Sequence, residues 1–264
     1  MGRNTGYAGQ KANYIGVIRA ASPGPAIRPA TMGPMSAERV LGVDACKAGW
    51  IGIVLSGRDP SLHFAARISD LVDEAGQDGP LQAIAIDMPI GLPDAGRRMA
   101  DTLARQAVGP RRASVFVTPV RAALEAADYE SASAVSRRVA GEGISRQAFA
   151  LKVKILEVDR WVRRTRHRVV EVHPEASFAE IAGSPLLVRK STWAGAALRR
   201  QLLAGAGIPL AGDLGIAGEQ AGVDDVLDAA AAGWTALRVA RGQARSLPDP
   251  PEIFSDQLAC AIWI

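Results

Sequence analysis

Three short apolar segments follow one another closely at 39–44, 50–55 and 62–68, and this spacing constrains the fold more than any other feature of the chain. Their connections contain Gly or Pro and are far shorter than the dozen or so residues that a parallel crossover requires. They predict two successive antiparallel hairpins. Ser69 predicts the cap of a helix through Ala75, with Asp70 and Glu74 in its early turns. The run at 81–86 is apolar almost throughout, as expected of a central strand covered on both faces.

Beyond this point the pattern changes. Residues 92–165 show little strand character, and the stretches 97–107, 120–127, 131–141 and 145–164 predict helices. In the last of these, Ile155, Val158 and Val162 fall on one face. A strand is expected at 169–172, then helices from about Glu175, over 191–205 and over 224–240, with a Gly-rich loop at 205–222. Together the elements predict an α/β domain with a mixed five-stranded sheet flanked by helices. A helical insertion, about 92–165, sits between strands four and five over one end of the sheet.

Charge bears on the choice of partner. The chain has 31 Lys and Arg against 27 Asp and Glu. Arg3, Lys11, Arg19 and Arg28 lie in residues 1–37, which hold no acid, so the 31 basic residues less these four equal the 27 acidic ones. The excess belongs to a Gly- and Pro-rich tail that is expected to be disordered, with Met35 an alternative start, and residues 38–264 form a neutral body. Net charge therefore gives a nucleic-acid surface no support. Two cysteines without a CxxC pair suit a reducing, cytoplasmic setting, and no apolar run is long enough to span a membrane.

The chemistry-bearing pattern is acids at strand ends. Asp44 ends strand one, Asp87 ends strand four and Glu175 follows strand five. The last helix begins with Asp224 and Asp225 and carries Asp228 one turn on, where Asp225 and Asp228 can share a face. Hard oxygen ligands gathered this way suit Mg²⁺ or Mn²⁺ rather than zinc or copper. Each acid also has a structural reading: Asp224 as a helix cap, and Glu175 as a favourable charge in a first turn. Asp228 is harder to read that way, because it lies within an alanine-rich, apolar helix. The usual dinucleotide, P-loop, esterase and zinc-protease motifs are absent from the sequence.

Six segments carry a resemblance: GVDACKAGW at 42–50, IDMPIGL at 86–92, RASVF at 112–116 with Thr118-Pro119, KILEVD at 154–159, EVHPE at 171–175 and DDVLDA at 224–229. In this order the chain resembles domain-of-unknown-function family 429, classed as predicted nucleases with a ribonuclease-H-like fold. The stretch at 225–229, Asp-Val-Leu-Asp-Ala, is also similar to the last helix of RuvC-type Holliday-junction resolvases. There, an acid after strand one, an acid after strand four and a helix pair bind the metals. Residue by residue this implies Asp44, Asp87, Asp225 and Asp228 as catalytic metal ligands. Glu175 is implied as a further ligand or base, because the strand-four acid in those enzymes is usually the longer Glu.

The same resemblance implies a substrate-facing loop with Ser114, Thr118 and Arg121, beside Arg112. Lys154 is a phosphate contact or a solvated helix-face lysine, and His173, next to the acids, orients water or a leaving group or is simply satisfied at the strand end. The resemblance makes a divalent-metal-dependent nuclease acting on nucleic acid the leading expectation. Arg97, Arg98, Arg105, Arg111 and Arg112 form a basic segment that can grip phosphates or simply face solvent. Lys190 is a further phosphate contact or a solvated lysine, and Trp50, Trp161 and Trp234 fall at core positions. Two other functions fit the same elements. One is nucleotide binding or phosphoryl transfer of the actin-like and sugar-kinase type, using the 42–49 turn. The other is a non-catalytic binding module.

Overall fold

The computed structural model describes residues 38–57, 59–210, 212 and 214–264; the N-terminal tail and the question of Met35 lie outside them. The first hairpin pairs β1 (Val40–Ala45) with β2 (Trp50–Leu55), and β2 pairs in turn with β3 (Ser61–Ala65), all antiparallel. α1 (Ile68–Ala75) then leads to β4 (Ala83–Ile86), which lies parallel to β1. Strand β3 is shorter than its sequence pattern suggests. The helix start moves with it: Arg67, not Ser69, is the cap residue of α1.

Between β4 and β5 (Val169–Val172) come α2 (Met99–Ala107), a 3-10 turn at Gly109–Ser114, α3 (Arg121–Glu125), α4 (Tyr129–Ala140), α5 (Arg146–Ala150) and α6 (Lys152–Val162). The helical stretch is not confined to the sheet end. Leu124 of α3 and Ile155 and Val158 of α6 join Leu41, Val43, Leu71 and Ile84 in one apolar cluster, so these helices share a sheet face with α1. Glu157 fastens α6 there, accepting hydrogen bonds from the Trp50 indole at 3.2 Å and the Ile68 amide at 2.8 Å.

After β5 come α7 (Pro174–Ala182), α8 (Trp193–Gly205), α9 (Gly215–Gln220) and α10 (Val223–Ala240). The chain ends in β6 (Ser246–Ile253) and β7 (Ala259–Trp263), giving a sheet of seven strands in the order β3-β2-β1-β4-β5-β7-β6. The expected five-stranded sheet is thus two strands short. Pro248, Pro250 and Pro251 hide β6 from a strand reading. They are tolerated because β6 is an edge strand with an irregular register between Leu247 and Glu252.

One packing contact sets the geometry of the site. Alternation along β1 puts Val40, Gly42 and Asp44 on one face, and the pairing of Val40 with Ala83 and Gly42 with Ala85 puts the alternate residues of β4 beside them. Helix α10 crosses this face against Val40, Ala83 and Ala85. The approach is backbone to backbone: a Cβ on Gly42 would lie 2.0 Å from the Gly233 nitrogen and 2.2 Å from the Ala229 carbonyl oxygen. Gly42 and the run Ala229–Ala232 with Gly233 therefore let α10 lie directly on the strand. Asp44, two residues after Gly42, and Asp228, next to Ala229, meet as a consequence.

Candidate metal centre

Asp44, Asp87 and Asp228 each present a carboxylate oxygen to a common point, with these atoms all within 4.8 Å of one another. Asp44 ends β1 and Asp87 follows β4, where its amide donates to the Val43 carbonyl at 2.9 Å, so the two strand ends stay in step. Asp44 and Asp228 are buried and Asp87 is partly exposed. The Ala45 amide donates to Asp44 at 2.7 Å. Asp87 accepts no side-chain hydrogen bond among the described residues.

Lys190 is the cation at the cluster, its Nζ 2.5 Å from Asp228 and 3.8 Å from the half-exposed Asp224. One ammonium does not balance three carboxylates. Burial, then the Asp87 and Asp228 charges, hold the Asp44 carboxyl well above its ordinary range. Burial pushes Asp87 up to about 7 against the opposing pull of Lys190. Burial likewise raises Asp228 to about 6, again with Lys190 opposing. Burial disfavours the charged form of Lys190, but Asp228, Asp44 and Asp87 outweigh it and the net shift is upward. Such a set is short of positive charge and suits a hard divalent cation.

The other residues implied by the resemblance fall elsewhere. Asp225 is not among the three converging acids; its Oδ2 accepts the Gly222 amide at 3.1 Å. Gly222, not Asp224, is the cap residue of α10, so Asp225 serves the helix start. Glu175 is buried on α7 and tied to Arg199 at 2.6 Å, with Arg111 3.5 Å from its other oxygen. This pairing orders Arg199 and keeps Glu175 out of the triad. Among the described residues, Asp225 and Glu175 thus stand outside the set of converging acids.

His173 caps α7 and its Nε2 lies 3.4 Å from the Ser114 carbonyl; burial is the main cause of its lowered pKa, and Asp228 is among the charges that oppose the shift. The Ser114 hydroxyl donates to the Arg111 carbonyl at 2.8 Å. Thr118 is buried, donating to Asp101 from its amide at 2.7 Å and its hydroxyl at 3.1 Å. Lys154 donates to the Gly49 carbonyl at 2.9 Å and lies 4.3 Å from the centre of the Trp50 ring. It thereby ties α6 to the β1–β2 turn.

The basic segment also resolves into pairs. Arg97 binds Glu142, Arg98 is buried with Asp101 and Glu171, and Arg105 donates to the Val115 carbonyl. Of the five, Arg97 and Arg112 are exposed, and Arg97 is held by Glu142. Gly42 and Gly49 both abut protein backbone, the latter with its missing Cβ 2.2 Å from the Ala65 carbonyl oxygen. Their smallness lets α10 lie on β1 at Gly42 and Ala65 approach the turn at Gly49.

Trp193 drew no attention in the sequence, yet it is the most exposed of the five tryptophans, at 88%. Its signal was present: it directly follows the Ser-Thr pair that starts α8, the exposed beginning of a helix. No helix among the described residues is long and apolar enough to cross a membrane.

No curated protein and no solved structure gives a significant match to the chain. A family profile, described as Protein of unknown function (DUF429), matches residues 42–253, from within β1 to the last residue of β6. That span takes in all three converging acids and most of the chain, and the protein belongs to this family.

Proposed function

We propose that the chain is a divalent-metal-dependent hydrolase of phosphodiester bonds, with nucleic acid as its substrate class and a ribonuclease-H-like fold. The observation that carries this reading is the meeting of Asp44, Asp87 and Asp228 with a single lysine to balance them. The strand succession β3-β2-β1-β4-β5 supports the fold assignment, and the resemblance to resolvases supports the substrate class.

The donor set fits Mg²⁺ or Mn²⁺: three carboxylates, one partly exposed, with no histidine or thiolate among them. Asp44, Asp87 and Asp228 would hold such an ion, which would supply an acidified water and charge neutralisation for a phosphate. The protein's own contributions follow from position. Asp44 and Asp228 are the fixed ligands, held by the close seat of α10 on β1. Asp87 is the more accessible of the three. Lys190 holds the place of positive charge and is available to a substrate phosphate once an ion takes over the acids.

Incubating the purified protein with labelled single- and double-stranded oligonucleotides and Mn²⁺, beside Asp44→Asn, tests the reading. Cleavage that needs the ion and disappears in the variant supports it. Cleavage that survives the substitution, or an absence of cleavage by a protein that binds the ion, rejects it.

A further inference from the structure

A cavity of about 520 Å³ opens beside the carboxylates, between the first turn of α8 and the start of α10. It lies within the size range of small-ligand sites. Lys190 belongs to both places: it lines this cavity and its Nζ rests on Asp228. Its lining is apolar at Trp193, Ala196, Ala197 and Val223, with Arg200 and Asp224 also contributing to it.

The build of the tryptophan's seat is informative. Thr192 caps α8, its hydroxyl oxygen accepting the Gly195 amide at 3.1 Å and donating to the Arg189 carbonyl at 2.8 Å. A Cβ on Gly195 would lie 1.8 Å from that same carbonyl oxygen. The segment from Arg189 to Gly195 is therefore wound tightly, which fixes Lys190 and Trp193 together. An indole 88% exposed, with Val223 also 66% exposed in the same cavity, is an apolar surface that lacks its cover.

The charges decide what covers it. Lys190 and Arg200 are cationic and Asp224 is anionic, so the cavity is net positive on its own residues. Arg200 uses one guanidinium nitrogen on the Leu210 carbonyl at 2.9 Å and keeps further donors. A flat, polar-edged ring attached to a phosphate matches an exposed indole that shares a cavity lining with a guanidinium and an ammonium.

We propose that this cavity is a stacking subsite for one unpaired nucleobase of a single-stranded nucleic acid. Trp193 is the platform and Arg200 meets the adjoining phosphate, with Lys190 joining it once an ion holds the carboxylates. This rests on the nucleic-acid reading above and sharpens it: single-stranded or unpaired segments, not an intact duplex, are the preferred partner. The shared Lys190 places the stacked nucleotide next to the carboxylates.

Tryptophan fluorescence of the full chain in EDTA at low salt, titrated with a 12-nucleotide single strand, tests this without metal or turnover. Trp50 is fully buried and the other three tryptophans are partly covered, so quenching by a stacked base reports chiefly on Trp193. The expected result is saturable quenching by the single strand, with weaker binding of the matching duplex. Binding followed by anisotropy of a labelled strand should weaken about tenfold or more in Trp193→Ala and be largely kept in Trp193→Phe.

No quenching of the wild type, equal affinity for the duplex, or unchanged affinity in Trp193→Ala overturns the inference; any of these would leave a protein partner as the cover for the indole. A parallel Mn²⁺ titration separates the two readings. If Mn²⁺ binds and Trp193→Ala changes nothing, the subsite alone fails. If the wild type binds no Mn²⁺ but the strand still quenches, the metal reading alone fails. Mn²⁺ binding equal to wild type in Trp193→Ala also shows that the variant is folded.

Discussion

The sheet carries acids on both faces, and the two sets are treated in opposite ways. On the face away from α10, Glu171 and Asp101 enclose Arg98. Arg98 donates to both Glu171 oxygens, at 2.7 and 2.8 Å, and to Asp101. The Ile90 amide adds a bond to Glu171 at 2.7 Å, and Thr118 adds two to Asp101. On the α10 face, Asp44, Asp87 and Asp228 share one lysine, and Asp87 has no side-chain partner among the described residues. Both sets are largely out of water. The first is closed by its own arginine, whereas the second is left open to something the chain does not supply. Buried acids that are completed serve the fold, and buried acids left short of charge are where function is to be sought.

The largest way to break this comparison is to remove the arginine. Arg98→Met leaves two buried carboxylates without a cation, and breaking a buried pair typically costs about 3–5 kcal/mol. Urea unfolding should show a loss on that scale; a loss under about 1 kcal/mol would mean that Arg98 does not complete its face.

Gly42→Ala comes next. Its Cβ meets the backbone of α10, which has no side chain to move aside, so a destabilisation of about 2 kcal/mol or more is expected together with weakened Mn²⁺ binding. Gly52→Ala is the matched control. There a Cβ meets only the ends of Leu41 and Leu71, at 3.0 and 3.1 Å, and metal binding should be kept. Equal loss of metal binding in both variants contradicts the role given to the seat of α10.

The opposite sign is expected at the open set. Asp44→Asn removes a buried charge whose ionisation the fold resists, and should stabilise the metal-free protein by about 1 kcal/mol. Thermal unfolding in EDTA reads this directly, and a lower melting temperature would sink the claim that the site is short of positive charge.

A further test lies in the pH dependence. Asp87 and Asp228 have folded pKa values of about 7 and about 6 against 3.8 for the ordinary carboxyl. Between roughly pH 4 and 7 the folded state therefore binds more protons than the unfolded one, and stability of the metal-free protein falls as pH rises through that window. Mn²⁺ needs the deprotonated acids, so its stabilising effect should grow over the same window. Asp87→Asn should flatten both trends; slopes that match the wild type count against these shifts.

The sequence made the open set more legible than the closed one. Asp44 and Asp87 stand at the ends of strands whose alternation is plain, and Asp228 is conspicuous in an alanine-rich helix. Glu171 lies within a strand and Arg98 within a basic run, so their meeting depends on a tertiary contact that no local pattern encodes. The same limit explains Asp225 and Glu175. Spacing placed both near the cluster, but a local amide claims Asp225 and a distant arginine claims Glu175. The last two strands escaped notice because prolines mask β6, and β7 finds its place only between β5 and β6.

The most direct test of the account is a calorimetric Mn²⁺ titration at pH 8 of the wild type beside Asp44→Asn, Asp228→Asn and Asp225→Asn. The account predicts one ion per chain, binding weakened tenfold or more in the first two variants, and near-wild-type binding in Asp225→Asn. Failure of the wild type to bind, or wild-type affinity in Asp44→Asn or Asp228→Asn, would contradict it.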